Sequence, residues 1–210
     1  MQGPSYISDD VRLRLGVSRE SLARLETYVQ LLLTWQAKIN LIGPSTIEDI
    51  WKRHVLDGLQ LLPLMDKKTE VIADLGSGAG IPGLILAIGG GFEAHLYESN
   101  GKKVAFLREA IRQTKANARV HQVRLETLPS HLPAILPQYV TARALAPLDK
   151  LLLWASPLLK RGAIGLFHKG QDVDSELMEA TKSWKIGAIK HPSMTDSKGT
   201  ILEVKEIASV

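Results

Sequence analysis

The chain has 210 residues, 45% of them hydrophobic, which is enough for one well-filled core with a short extension and too little for two large domains. A formal charge of +4 is modest over a whole surface, so an anionic partner has to be argued from where the charges sit. With no cysteine in the chain, disulfides, iron–sulfur clusters and thiolate nucleophiles are excluded, and a metal site of the ordinary zinc type is not expected.

The first ten residues carry neither the basic segment nor the apolar run of a signal peptide, and no apolar run approaches ~18 residues. The expectation is a cytoplasmic protein that does not engage a membrane. Residues 19–41 repeat Leu22, Leu25, Val29, Leu32, Leu33 and Ile39 at helical spacing, with Ser18 as the N-cap. Gly43-Pro44 stops this helix. Ser45-Thr46-Ile47-Glu48 has the form of a capping box and predicts a second helix through Ile50, Val55, Leu56, Leu59 and Leu62, ended by Pro63. Residues 1–65 are therefore read as a helical extension and 66–210 as the functional core, together one compact unit.

Next comes Val71-Ile72-Ala73-Asp74-Leu75, with the composition of a buried strand, then Gly76-Ser77-Gly78-Ala79-Gly80, and then Pro82 opening a helix. A glycine-rich turn between a strand and a helix is a nucleoside-binding corner, because backbone without Cβ atoms turns sharply and approaches a ligand closely. Gly78, Gly80 and Gly83 also satisfy the G-x-G-x-x-G spacing of a dinucleotide site, which leaves an NAD-binding oxidoreductase as an alternative. Asp74 argues against it. A carboxylate two residues before the first glycine would repel a pyrophosphate, whereas S-adenosyl-L-methionine carries a sulfonium and an ammonium. Glu98 closes the next apolar stretch at about the ~20-residue distance of a ribose-binding acid. The plainer reading is that Asp74 caps a loop and Glu98 is a solvated strand end.

Beyond the loop, strands are expected near 70–75, 94–98, 119–123, 139–142, 162–168, 184–190 and 201–207, and helices near 82–88, 102–116, 147–159 and 172–183; 128–137 is a short helix or a loop. The segment between the last two strands is too short for a crossover helix, so they pair antiparallel. The expected fold is α/β, a Rossmann-like class I methyltransferase with a seven-stranded, mostly parallel sheet, an antiparallel last strand and an N-terminal helical extension.

Several segments together resemble one family. They are Trp35-Gln36-Ala37-Lys38-Ile39-Asn40-Leu41, Arg53-His54-Val55-Leu56-Asp57, the Asp74 loop with its trailing Ile81-Pro82-Gly83, Tyr97-Glu98-Ser99-Asn100 running on to Leu107, Arg143-Ala144 and Lys169-Gly170. The family is the bacterial small-subunit ribosomal RNA guanine-N7 methyltransferases, also called glucose-inhibited division protein B. The resemblance implies transfer of a methyl group from S-adenosyl-L-methionine to N7 of a guanine in 16S ribosomal RNA. It also implies a small-subunit partner; no DNA partner and a monomer are expected. It places Gly76 and Ile81 at the cofactor, Leu125 and Glu126 near the adenine after the third strand, and Arg143 near the cofactor or target base. With Asp74, Gly78, Gly80 and Glu98 these make up the expected cofactor site. The sequence departs from the family at Glu98, where aspartate is expected, and at Gly58 and Ala142, where serine is expected.

Guanine N7 carries a lone pair and no proton at neutral pH, so no residue is required as an acid or base and catalysis rests on approach and orientation. Consistent with this, Thr141-Ala142-Arg143-Ala144 stands where enzymes that methylate exocyclic amines place an Asn/Asp-Pro-Pro-aromatic tetrad. Arg143 either donates to guanine O6 or pairs with a carboxylate such as Asp74 or Glu126. Arg53, His54 and Asp57 fall within about one helical turn and read as a brace, with RNA or cofactor contact as the sharper alternative. Asn40 reads as a helix C-cap or a pocket contact. For RNA, Lys102, Lys103 and Arg112 in the basic stretch 101–124, with Lys169 after strand five, are the expected phosphate contacts. A non-catalytic RNA-binding or assembly protein is the remaining alternative.

Overall fold

The computed structural model describes residues 9–66, 68, 70–131 and 135–210. The extension begins with α1 (Asp9–Arg14) and α2 (Arg19–Gln36), and α2 starts as its sequence requires, with the Ser21 N–H donating to Ser18 Oγ at 3.0 Å. It ends sooner than its periodicity suggests. Gln36 Oε1 accepts from the N–H groups of Leu41 and Ile42, folding the chain back at the helix end. Ala37 is the C-cap and Asn40 is exposed, so Asn40 does not cap α2.

The expected capping-box helix does not form. Pro44–Thr46 is a 3-10 turn, Trp51–Leu56 is π-helical and α3 (Asp57–Leu59) continues it. Ser45, the N-cap of the expected box, lies inside the 3-10 turn, whose N-terminal flank is Gly43 with no side-chain cap, and the Thr46 hydroxyl is turned to the Gly43 carbonyl at 2.7 Å and to His54 Nε2 at 2.6 Å. Gly58, where the family pattern suggests serine, packs against Ile85; a Cβ there would come within 2.8 Å of Ile85 Cγ2.

Seven strands follow: β1 (Val71–Leu75), β2 (Glu93–Glu98), β3 (Ala118–Gln122), β4 (Tyr139–Arg143), β5 (Ile164–Lys169), β6 (Trp184–Pro192) and β7 (Thr200–Ser209). Their order in the sheet is β3-β2-β1-β4-β5-β7-β6; the first five are parallel and β7 runs antiparallel to both neighbours. Helices α4 (Gly83–Gly90), α5 (Gly101–Thr114), α6 (Leu148–Leu159) and α7 (Val173–Ala180) cover the faces. Residues 125–131 form a 3-10 helix, and 132–134, part of the ambiguous stretch 128–137, lie outside the described residues.

Alternation along the central strand divides the core. Ile72 joins Leu84, Ile88 and Phe106 on one face, while Ala73 and Leu75 join Val140, Leu152 and Phe167 on the other. Leu25, Tyr28 and Leu32 of α2 belong to the first cluster, so the extension buries its apolar stripe against the sheet's own helices. Four of the parallel strands end on functional candidates or their neighbours, Leu75, Glu98, Arg143 and Lys169, at the edge where open α/β sheets bind ligands. Among the described residues no helix is long and apolar enough to cross a membrane. The expected lack of a signal peptide concerns residues 1–8, outside the described residues.

Candidate active site

The glycine loop is a close-packed backbone turn. Gly76, Gly78 and Gly80 have φ of +66°, +56° and +86°, a region that side-chain-bearing residues adopt only with strain. The three differ in what surrounds them. A Cβ at Gly76 would collide with Leu145, and one at Gly80 would stand 2.7 Å from Leu84 Cβ, whereas Gly78 faces open space with only the Gly76 carbonyl near, at 3.8 Å. The loop is tied from outside by the Ser77 N–H donating to the Tyr97 carbonyl at 3.0 Å and by the buried Tyr28 hydroxyl of α2 donating to the Ala79 carbonyl at 2.7 Å.

Glu98 sits where the sequence places it. Its Oε2 accepts from the Gly78 N–H at 2.9 Å and its Oε1 from the Asn100 N–H at 2.7 Å, which fixes the carboxylate beside the loop. Asn100 in turn caps α5, accepting from the N–H groups of Lys102 and Lys103.

A cleft runs past this corner in two compartments that share Gly76, Lys103 and Ala144. One is walled by Leu41–Gly43, His54, Gly76–Ala79, Ile81 and Arg143. The other is walled by Tyr97, Glu98, Val123, Leu125, Glu126, Leu145 and Trp154. Of the expected cofactor residues, Gly76, Gly78, Ile81, Glu98, Leu125, Glu126 and Arg143 thus line one space, whereas Gly80 is a packing residue and Asp74 lies beneath the loop.

Asp74 needs correction in more than position. It is 1% exposed, Thr141 donates to its Oδ1 at 2.7 Å, and Gly83 is held against it so closely that a Cβ there would overlap its side chain. Burial lifts its pKa to about 6, partly opposed by hydrogen bonds from Thr141, Ser77 and the Gly83 backbone. It is a brace between β1, β4 and the start of α4, and the carboxylate that holds the glycine loop from within the cleft wall is Glu98.

Arg143 pairs with neither Asp74 nor Glu126. Its NH1 lies 3.1 Å from Asp57 Oδ2, a charge pair without a directed hydrogen bond. Asp57 is the centre of a buried cluster: Gln60 Nε2 donates to its Oδ1 at 2.7 Å, the Thr195 hydroxyl donates to the same oxygen, and His168 Nε2 lies 2.8 Å from its carbonyl. Arg53 pairs with Asp196 at 3.1 Å. The Arg53 and Asp57 brace expected within one turn is therefore made across the fold, to β4, β5 and the β6–β7 loop. His54 faces the cleft instead. Burial, reinforced by the Arg143 charge, pushes its pKa down to about 4, so it is a neutral imidazole at pH 7.

The expected phosphate contacts do not form one surface. Lys169 is almost wholly buried, paired with Glu176 at 2.5 Å and donating to the Ala146 carbonyl at 3.2 Å, so it is neither solvated nor free. Arg112 is exposed but forks onto Glu109 at 2.7 and 2.8 Å. At roughly 100° per residue it lies on the opposite side of α5 from Lys103, which points into the cleft. Lys102 remains exposed. Sequence reasoning missed Tyr28, Thr141, His168, Thr195 and Trp154, because each reads locally as core, strand or loop.

Comparison with known proteins agrees with this geometry. A family model described as rRNA small subunit methyltransferase G matches residues 21–204. The chain is 46% identical over 200 residues to ribosomal RNA small subunit methyltransferase G of Paramagnetospirillum magneticum, covering 95% of this chain and 96% of that protein. It is 50% identical over 192 residues to the protein of the same name from Rhodospirillum rubrum, covering 91% and 93%. Among solved structures, the O-methyltransferase from Bacillus cereus in complex with SAH superposes with a TM-score of 0.58 at 14% identity, over 88% of this chain and 91% of that one, a likeness of fold. These findings set aside the oxidoreductase reading of Gly78, Gly80 and Gly83 and make S-adenosylmethionine the cofactor of a methyltransferase. The cleft fits that cofactor, with an open backbone face at Gly78, the Glu98 carboxylate beside it and an apolar wall at Leu125. A turn whose glycines serve packing and approach rather than a pyrophosphate, under a match spanning residues 21–204, places this chain in the rRNA small subunit methyltransferase G family.

Proposed function

We propose that this chain transfers a methyl group from S-adenosyl-L-methionine to N7 of a guanine in the 16S ribosomal RNA of the small subunit, as a cytoplasmic monomer in which residues 1–65 and 66–210 fold as one unit. The observation that carries the reading is the position of Arg143, a guanidinium in the wall of the cofactor cleft whose buried NH1 is steadied by Asp57. When bound, the cofactor supplies a methyl group on a sulfonium, whose S–C bond breaks as a nucleophile's lone pair forms the new bond, the electrons of the broken bond staying on sulfur.

Guanine N7 brings that lone pair and no proton, so the chain has nothing to deprotonate. This suits a cleft in which His54 is held neutral by burial and its Nε2 is engaged by Thr46. Glu98, Gly76, Gly78 and Ile81 hold and orient the cofactor; Leu125 and Glu126 flank its adenine; Arg143 orients the base through O6. Lys102, on the exposed side of α5, meets phosphate.

Mass spectrometry of 16S ribosomal RNA nucleosides from cells with and without this chain tests atom and base together. N7-methylguanosine that depends on the chain supports the assignment. An unchanged nucleoside profile, with no transfer of labelled methyl to small-subunit RNA by purified protein, rejects it and favours a non-catalytic assembly role.

A further inference from the structure

Beside the cofactor cleft lies a second cavity of about 200 Å³ that shares with it only Arg143 and Ala144. It is closed by three distant segments: Arg53 and Asp57 from the π-helical turn and α3, His168 from the end of β5, and Ser193, Thr195 and Asp196 from the loop joining β6 to β7. That loop is anchored from below. Gln60 Oε1 accepts from the Met194 N–H at 2.7 Å, and the Thr195 hydroxyl bonds Asp57. A group held in this cavity lies next to the cofactor cleft, the two spaces meeting along Arg143 and Ala144.

The cavity's chemistry selects among bases. Arg143 lines both spaces; its buried NH1 faces Asp57, and the rest of its five-donor fork is the part of the wall that a base can meet. Guanine offers O6 and N7 as adjacent acceptors, where adenine puts an amino donor beside N7. A donor from Arg143 to O6 therefore accepts guanine, refuses adenine and leaves the lone pair of N7 free for the incoming methyl group. Guanine's opposite edge presents the N1–H and N2–H₂ donors, which call for an acceptor. Asp196 stands at the rim, 43% exposed, paired with an Arg53 that is 38% exposed. A pair so open to water is worth little to the fold and is readily exchanged for ligand.

We propose that this second cavity receives the acceptor guanine, swung out of the RNA stack, and that Asp196 exchanges Arg53 for the N1–H and N2–H₂ edge of the base while the freed Arg53 meets a neighbouring phosphate. The proposal rests on the methyl-transfer reading above and adds the residue that reads the base.

The test is steady-state methyl transfer by the full-length chain onto unmethylated small-subunit RNA carrying guanosine or inosine at the acceptor position; inosine keeps O6, N7 and N1–H but lacks the amino group. Wild type should favour guanosine at least tenfold in kcat/KM. Asp196→Ala should raise KM for the guanosine RNA about tenfold and bring the guanosine-to-inosine ratio close to one, with Kd for S-adenosylmethionine by calorimetry within twofold of wild type. Arg53→Ala should raise KM for both RNAs alike and leave the ratio unchanged. If Asp196→Ala keeps the wild-type ratio, or if both variants behave identically on both RNAs, the pair is only a latch and the pocket assignment is overturned. If wild type itself methylates no guanosine RNA, the methyl-transfer reading has failed first.

Discussion

The cofactor cleft and the cavity across Arg143 are neighbours built on different physical terms. Along the cleft, the shaping contacts fall largely between Asp74 and Asn100 and run through backbone atoms, such as Ser77 N–H to the Tyr97 carbonyl and Gly78 N–H to Glu98. Around the cavity they join distant parts of the chain, each through at least one side chain, including His168 to the Asp57 carbonyl, the Met194 N–H to Gln60 and Arg53 to Asp196, 143 positions apart. The first region resists any added atom and the second any lost charge. Substitutions in the two should therefore fail in different assays.

Asp57→Ala should have the largest effect. It leaves the Arg143 guanidinium buried without its partner, and removing one member of a buried pair costs about 3–5 kcal/mol, read as a lower urea midpoint. In the folded fraction, RNA methylation should drop far more than cofactor affinity. Equal losses in both would merge the two regions into one site.

Asp74 separates the regions by pH. Burial raises its pKa from the ordinary 3.8 to about 6, so between these values the folded state keeps a proton that the unfolded state releases. The stability this confers is complete below about pH 4 and is lost as pH rises to about 6, a change on the order of 3 kcal/mol. Because the lowered pKa of His54 works in the opposite direction over the same range, the Asp74 contribution is read as a difference: the stability of wild type relative to Asp74→Asn, from urea midpoints, should fall as pH rises from 4 to 6. An identical slope in the variant would remove Asp74 from the account.

Two glycine substitutions sharpen the contrast within the loop. Gly83→Ala drives a methyl group into Asp74, an overpacking cost of about 1–3 kcal/mol, and should abolish cofactor binding by calorimetry. Gly78→Ala meets no neighbour closer than 3.8 Å and should cost only about 1–2 kcal/mol, from its positive φ. Equal loss of cofactor binding in the two would mean that backbone conformation, not packing, limits the turn.

Tyr28→Phe removes one hydroxyl between α2 and the loop. It should cost about 1 kcal/mol and raise the cofactor Kd a few-fold without changing kcat, a split seen in initial-rate kinetics. The smallest effect is expected on the surface. Lys102→Gln should lower the salt slope of RNA binding by about one, while Arg112→Gln, already engaged by Glu109, should leave it unchanged.

The glycine turn was legible because its evidence is contiguous: an apolar strand, positive-φ positions and a helix start within a dozen residues. The antiparallel end of the sheet could be read from a loop too short for a crossover. The capping box fails because Ser45 and Glu48 have the right types and spacing, yet Pro44 draws Ser45 into a 3-10 turn and no helix starts directly behind it. Asp74 was assigned the correct charge and the wrong exposure. Sequence shows a carboxylate beside glycines but not that Thr141, from β4, stands over it.

By itself, then, the amino-acid order determined the alternation of strands and helices, the nucleoside corner with Glu98 beside it and, through motifs spread along the chain, the family. Periodicity and glycine placement act over a few residues, and that range is visible in one dimension. Tertiary structure alone decided that Asp57 is the partner of Arg143, that Lys169 is consumed by Glu176, and that a second cavity opens behind the cleft. Charges find their partners through space, and a string of residues does not record which of several acids a folded sheet will bring within 4 Å of an arginine.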